Sequence, residues 1–486
     1  MVSRPHITPV LCAAAAAAAG FYFFSSLPFL ANTAVLSALL AFVCFFRVLS
    51  SLRSKSRMLR LTEIYSVVIA AGVCVGICAA GAGRNDVKFG IPHEKITAIT
   101  GVLLEDPRII SKGRAMAVLS LNNCVNDKKA RVSSSGKITV FFPEDSAIRL
   151  REFGRGTTVF SEGRLRYAQL GWIYSADSMH IVKRAPEVER MRTGVRLGLI
   201  NRFDGKPWGG LALSLLVGIR DSLDSNLAVL YRDTGCSHIL ALSGMHLAVL
   251  AALIAFFLKK PLGLKKSAIA GAVIICLYCF LVGPMPSLNR SAIMYLIGVI
   301  AIIGAFPGEP MSILALSFLL QIIISPAEGN TISFTLSYIA LAGIFIIGQP
   351  LFFLLSGKAP DLILQPFTAS CGAFIASAGI TCFTFGLVVP MGIITGLFLV
   401  PLTTVFMIGS MAWLALDMVS LSGFLDFPLL LIYQLQEKIV SFAGAVPGVT
   451  SVRFSAVLAI SIAAALLINV LEYRRRASLL KLMPFD

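Results

Sequence analysis

The run His238-Ile239-Leu240-Ala241-Leu242-Ser243-Gly244-Met245-His246 sets a hydroxyl and an imidazole three residues apart in an apolar stretch. On a helix that spacing puts Ser243 and His246 on one face. Two chemistries suit the pair: a serine nucleophile with a histidine base, or a polar lining for the path of a charged solute. The plainer alternative is a neutral imidazole bonded between helices as packing. His238 would lie about 80° round the same helix from His246, so the rings do not converge and no histidine-pair metal site is expected. Gly244 lets another backbone approach closely. Arg220 and Arg232 precede this run, and Arg290 follows Pro284 and Pro286. Those prolines break the helix and could leave Arg290 facing a cavity, which makes it the sharpest candidate for phosphate. Its alternative is a loop arginine snorkelling to lipid headgroups.

The elements that hold these residues are membrane spans. The chain has 486 residues, 57% hydrophobic and 14% charged, against about 25% charged in soluble domains. Crossing a bilayer as a helix takes about 20 apolar residues. Such stretches recur at 9–30, 33–49, 61–81, 236–258, 267–283, 291–306, 310–325, 332–356, 367–389, 391–420 and 452–472. Lys and Arg mark the cytoplasmic side of short loops. Arg47, Arg53, Lys55, Arg57 and Arg60, then Lys259, Lys260, Lys265 and Lys266, then Arg474, Arg475, Arg476 and Lys481 form three such clusters. They predict both termini in the cytoplasm and residues 85–235 outside the cytoplasmic (inner) membrane. An even number of crossings is then needed, so either 391–420 is two spans or 426–446 also crosses.

Residues 85–206 hold 21 Lys and Arg against 13 Asp and Glu. A basic extracytoplasmic surface suits an anionic partner: nucleic acid, an acidic polymer or the lipid bilayer. Predicted strands are 96–104, 115–121, 137–142, 157–166 and 179–183, separated by turn signals such as Lys112-Gly113. Five short strands with a long basic loop suit a small OB-like barrel, and periodicity leaves a small sandwich open. Lys128, Lys129 and Arg131 lie in that loop. Arg164, Arg166, Tyr167, Trp172 and Tyr174 mix guanidinium groups with rings, as single-strand binding requires. The rings could equally fill the barrel core, above all Trp172. Beyond the barrel, 187–206 carries Arg190, Arg192, Arg196 and Arg202 among apolar residues and reads as an interfacial helix. The apolar run 208–219 is too short to span. Of ten cysteines eight lie within predicted spans; Cys124 and Cys236, the latter at the very start of a span, would lie outside the cytoplasm, where a bridge between them is possible but unsupported. No Gly-Lys pair precedes Ser or Thr, His93-Glu94-Lys95-Ile96-Thr97 lacks a second His, and Gly235-Cys236-Ser237-His238 lacks the closing Gly of a nucleophile elbow. No cofactor is expected.

Around the first run the sequence resembles the ComEC family of competence proteins. Arg232, Gly235 and His238 fit an Arg-x-x-Gly-x-x-His, and Leu240 to His246 fit a Leu-Ala-Ile-Ser-Gly-Leu-His run. Pro286 to Ser291, Phe334 to Ser337 after Pro326, and Phe385-Gly386 with Pro390 and Pro401 resemble later family stretches in order. Ile219, Ser325 and Ser291 depart from the usual residues. The resemblance implies a polytopic α-helical membrane protein with an inserted, OB-like extracytoplasmic β-barrel. It divides the chain into an N-terminal anchor (1–84), barrel (85–184), interfacial and re-entrant segments (185–235), channel domain (236–472) and basic tail (473–486). It implies a channel carrying single-stranded DNA across the membrane, with Arg220, Arg232, His238, Ser243, Gly244, His246 and Arg290 along the path. It also implies partners: a DNA receptor or pilus outside and an ATPase inside. Many relatives carry a C-terminal metallo-β-lactamase-like domain that this sequence does not extend into, so a separate nuclease is expected wherever one strand is degraded. Two other classes remain: a secondary transporter for an anionic solute, and an intramembrane enzyme using Ser243 and His246.

Overall fold

The computed structural model describes residues 9–24, 57–83, 87–110, 113–126, 130–168, 171–306, 308–445, 449–450 and 453–481. The stretch 33–49 and the basic residues Lys128 and Lys129 lie outside them. The described residues form two compact units, one within Met1–Arg84, Ser225–Leu277 and Met285–Asp486, the other within Asn85–Asp224 and Tyr278–Pro284.

In the first unit, α1 (Pro9–Phe24) and α2 (Arg57–Ala82) pack through small residues, with Gly72 of α2 against the backbone of Ala13. The second unit is built on a closed five-stranded barrel. Its strands are β1 (Ile96–Leu103), β2 (Ala115–Asn126), β3 (Lys137–Phe142), β4 (Thr158–Ala168) and β5 (Gly171–Ala176). They pair in the order β1-β2-β3-β5-β4, and β4 returns to β1. All pairs are antiparallel except β3 with β5. Helix α3 (Glu144–Phe153) joins β3 to β4, and its Leu150 is buried in the barrel core. This order is that of an OB-type barrel. Strand alternation sends Ile99, Leu103, Leu119, Ile138, Val140, Phe142 and Val159 inward.

The closing strand differs from the one predicted. β5 lies at 171–176, whereas β6 (His180–Lys183) is an extra strand paired to β4. Helices α4 (Glu187–Phe203) and α5 (Gly209–Val217) complete this part of the unit, with α5 almost wholly buried.

The first unit continues with α6 (Ser225–Asp233), the single-turn α7 (Ser237–Leu240) and α8 (Gly244–Val282). Gly263 in α8 has φ 75° and ψ 171°, so α8 is two helices joined at a turn beside Pro261. The halves run back along each other: a Cβ at Gly271 would meet the Ile254 side chain at 3.4 Å. Then come α9 (Pro286–Gly304), α10 (Pro310–Ile324), α11 (Ile332–Leu355, with a π-turn at Ile344–Gly348), α12 (Asp361–Phe385), α13 (Met391–Asp417), α14 (Gly423–Gly444) and α15 (Phe454–Lys481). Among the described residues six helices are long and apolar enough to cross a membrane, and three shorter apolar helices accompany them. Residues 391–417 form one continuous helix rather than two spans. α11 and α12 meet at Gly343 and Gly372, where a Cβ on Gly372 would stand 2.6 Å from the Gly343 carbonyl.

Candidate functional site

The first candidate site is one end of the barrel. In the β4–β5 hairpin Tyr167 pairs directly with Trp172. The two-residue period separates the predicted cluster: Arg164 and Arg166 point outward and are exposed, while Leu165, Tyr167, Trp172 and Tyr174 share the inner face. Tyr174 is fully buried, its hydroxyl 3.1 Å from both the Thr97 and Ser161 carbonyls, and burial raises its phenol pKa. It belongs to the core and presents no face to a base, which corrects its expected place in a binding surface. Tyr167 extends past the core and is 73% exposed. Its ring meets Trp172 edge-on at 5.0 Å, and Trp172 also meets Phe89 and His93, each at 5.2 Å. Four rings thus gather at one rim. Phe89 and His93 carry no periodic signal in the sequence and were missed. The chain after Phe89 leans on the short strand Arg131–Ser133: the Gly90 N–H donates to Ser134 Oγ at 3.5 Å. Arg131 is exposed on that strand.

A second cluster, of charges, lies elsewhere in this unit. The Arg192 side chain, only 1% exposed, donates to Asp106 Oδ1 at 3.0 Å and Oδ2 at 2.6 Å. It also donates to the carbonyls of Phe280 (2.7 Å), Leu281 (3.1 Å) and Val282 (3.2 Å). Arg196 joins the same carboxylate at 3.3 Å and the Val217 carbonyl. Cations at a helix C-terminus satisfy carbonyls the helix leaves unpaired. Burial alone would raise the Asp106 pKa, but the Arg192 hydrogen bonds and the Arg196 and Arg192 charges hold it below the usual carboxylate range. Arg151 grips Asp221 at 2.8 Å, and Arg155 pairs with Glu189. The expectation that the arginines of 187–206 spread over a lipid surface is therefore corrected for Arg192 and Arg196, which face inward. Arg190 and Arg202 are exposed.

The third cluster is at the start of α8. The chain is extended at Ala241 (φ −78°, ψ 132°), so His238 and His246 are not on one helix, and Ser243 is the residue before α8 rather than within it. His246 reaches back: its Nδ1 accepts the Ser243 N–H at 3.0 Å and lies 3.0 Å from Ser243 Oγ, while the His246 N–H donates to the Ser243 carbonyl at 3.1 Å. This is the back-reaching half of a capping box, with an imidazole in place of the usual carboxylate or amide, closed by a backbone turn bond. The Nδ1 lone pair is taken by a backbone amide, and among the described residues no group bonds His246 Nε2. A serine nucleophile needs a base nitrogen free to take its proton, and here the Nδ1 facing Ser243 Oγ already accepts the Ser243 N–H. Beside the cap, a Cβ on Gly244 would stand 2.7 Å from Ser291 Oγ and 3.1 Å from Arg290 Nη2. Ser243, Gly244, His246 and Arg290 are thus brought together.

Arg290 is 7% exposed and does not face an open cavity. Its Nη1 donates to the Ser337 carbonyl, Nη2 lies 3.5 Å from Ser291 Oγ, and the guanidinium sits 5.8 Å from the Tyr338 ring centroid. Behind it, the Tyr338 hydroxyl donates to Gln321 Oε1 (2.8 Å), Gln321 donates to Glu328 (2.7 Å), and Asn289 donates to Glu328 (2.9 Å). Arg220, Arg232 and His238 are exposed instead. Arg232 pairs with Asp233 at 3.2 Å, while its neighbour Tyr231 is buried and bonded to Gln436, which Thr403 also meets. Glu328 and Gln436 were not singled out from the sequence, because a single polar residue in an apolar helix reveals its partners only after folding. Cys124 and Cys236 are both free thiols.

Helices of this kind, joined to an OB-type barrel and enclosing buried polar clusters, define a multi-pass membrane protein with an inserted barrel. A family model described as competence protein matches residues 215–476, more than half of the sequence, and the chain belongs to that family. The resemblance read around Arg232–His246 is borne out. The chain is also 25% identical over 166 residues to ComE operon protein 3 of Bacillus subtilis (strain 168). That alignment covers 34% of this chain and 21% of the relative, so the chain spans about a fifth of that protein's length.

Proposed function

We propose that this protein carries single-stranded DNA across the cytoplasmic membrane during DNA uptake. The observation that carries the reading is the rim of four rings on an OB-type barrel, in a chain of the competence family. Stacking on such rings holds bases whatever their sequence, and Arg131, Arg164 and Arg166 supply phosphate contacts nearby on the barrel. The strand then passes among the membrane helices, by way of the groups around Ser243, Gly244, His246 and Arg290, with exposed Arg220, Arg232 and His238 outside them. The barrel faces the extracytoplasmic side and both termini the cytoplasm. Supporting that orientation, Lys259, Lys260, Lys265 and Lys266 lie at the turn of α8, and Lys265 donates to the Ile303 carbonyl near the end of α9 at 3.2 Å. If 423–444 crosses as well, the span count becomes even. The domain division follows the sequence boundaries, with the barrel at 85–184. Partners are a DNA receptor or pilus outside and an ATPase inside.

The test is binding of a long fluorescent oligothymidylate to the full-length protein in zwitterionic nanodiscs across a salt series. Log affinity should fall with log salt at about −0.7 per phosphate neutralised. Binding should weaken with Tyr167→Ala. Absence of binding at low salt would remove the reading.

A further inference from the structure

The Arg290 guanidinium is held along only one edge. Nη1 is tied to the Ser337 carbonyl. The opposite edge, formed by Nε and Nη2, has Ser291 Oγ at 3.5 Å from Nη2 and no partner for Nε among the described residues, although the atom is buried. A buried cationic donor without an acceptor is costly, more so than a neutral one. Such a two-nitrogen edge matches two oxygens of a phosphate. Three features of its two neighbours Gly244 and Ser291 fit the same purpose. Gly244 lies against Nη2 with no side chain, where a Cβ would crowd it at 3.1 Å. Gly244 also begins α8, whose first amides point out of the helix start, where anions are favoured. The Ser291 hydroxyl, held by the Ser287 carbonyl at 3.0 Å, stands beside the same edge.

We infer that the Nε/Nη2 edge of Arg290, opposite Gly244 at the start of α8, is a binding site for one phosphodiester of the translocating strand. The inference rests on the proposed function and assigns one step of it. In this structure the seam between α8 and α9 is shut over the edge. The phosphate reaches it when the first turn of α8 lifts, and supplies the acceptor that Nε lacks. A ligand that satisfies a group left unpaired in the shut state favours the open one. Gly244 lets the seam close again without a wedge. His246 keeps Ser243 and the first turn of α8 together as a rigid cap while this happens.

The salt series described above tests the site on the full-length protein in nanodiscs. Losing one phosphate contact should lower the magnitude of the salt slope by about 0.7, so Arg290→Gln should do so. Arg290→Lys keeps the charge without the two-nitrogen edge; it should keep the slope and bind about tenfold more weakly. Tyr167→Ala, at the barrel rim, should weaken binding with the slope kept. An Arg290→Gln protein that is folded, binds, and keeps the wild-type slope overturns the site while the uptake reading stands. Should Arg290→Gln fail to fold, an Arg290→Lys slope smaller than wild type, or unchanged affinity, overturns it equally. Absence of binding by the wild type removes the uptake reading itself.

Discussion

Replacing Asp106 by asparagine removes the carboxylate whose two oxygens both accept from the buried Arg192 guanidinium. The side chain of Arg192 is 1% exposed and donates to both Asp106 oxygens, at 3.0 and 2.6 Å. An asparagine of the same shape keeps one acceptor and turns an amide NH2, itself a donor, toward the guanidinium. Removing one partner of a buried ion pair costs about 3–5 kcal/mol. The carbonyls of Phe280, Leu281 and Val282 still accept from Arg192, and the Glu189 carboxylate remains 3.6 Å from it, so the lower end, about 3 kcal/mol, is expected. For a unit of this size each kcal/mol moves the melting point by roughly 3 °C, so the shift should be about 10 °C. Near-ultraviolet circular dichroism of the full-length protein in detergent reads it, because two of the three tryptophans, Trp172 and Trp208, belong to this unit. Glu105→Gln, which breaks the exposed Arg108–Glu105 pair at 3.1 Å, should leave the melt nearly unchanged. An Asp106→Asn protein melting within about 2 °C of wild type would refute the claim that this carboxylate anchors the cluster.

The pH dependence follows from the same residue. Its folded-state pKa is depressed, so its contribution is complete above the unfolded value of about 3.9 and is lost as pH falls through the lower folded value. Melting curves run down to about pH 3 should therefore fall off less steeply in Asp106→Asn than in wild type. At the barrel rim, Tyr167→Ala should weaken oligothymidylate binding about five- to hundredfold, the worth of stacking on one base, in a fluorescence titration. Tyr174→Phe should instead leave that titration unchanged and lower stability by about 1–3 kcal/mol in denaturant melts, because the one hydroxyl proton shared between the Thr97 and Ser161 carbonyls is lost from the core. Gly372→Val should push α12 from α11 and lower the detergent melting point, by about 1–3 kcal/mol if the helices stay paired; an unchanged melt would mean the contact is not tight.

Apolar runs long enough to cross a bilayer are legible because lipid imposes length and composition together, and the helices follow them. Four of the barrel's strands were visible through alternation. The fifth, Gly171–Ala176, was hidden because Trp172 and Tyr174 invited a functional reading of the same six residues. Strand parity resolves them: a step of two carries Tyr174 into the core and Tyr167 past it, and turns Arg164 and Arg166 the other way. The start of α8 was misread for a related reason. The run from His238 to His246 is apolar enough to look like one helix, yet Ser243 competes for the backbone as a cap, and His246 completes the cap. The seating of Arg192 on carbonyls some ninety residues later has no local signal, since backbone acceptors carry no sequence identity.

That seating has a consequence for how the molecule is made. The sockets for Arg192 and Arg196 are carbonyls at the end of α8, and the chain reaches them only after the turn at Gly263. During synthesis the barrel strands emerge early, but two arginines of α4 stay without their final acceptors until that helical hairpin has been laid down. Maturation of the barrel unit is thereby coupled to insertion of the first hairpin after it. A nascent chain arrested before Tyr278 would hold Arg192 and Arg196 on Asp106 but without their carbonyl acceptors, which makes this place a natural point for quality control to recognise an unfinished copy.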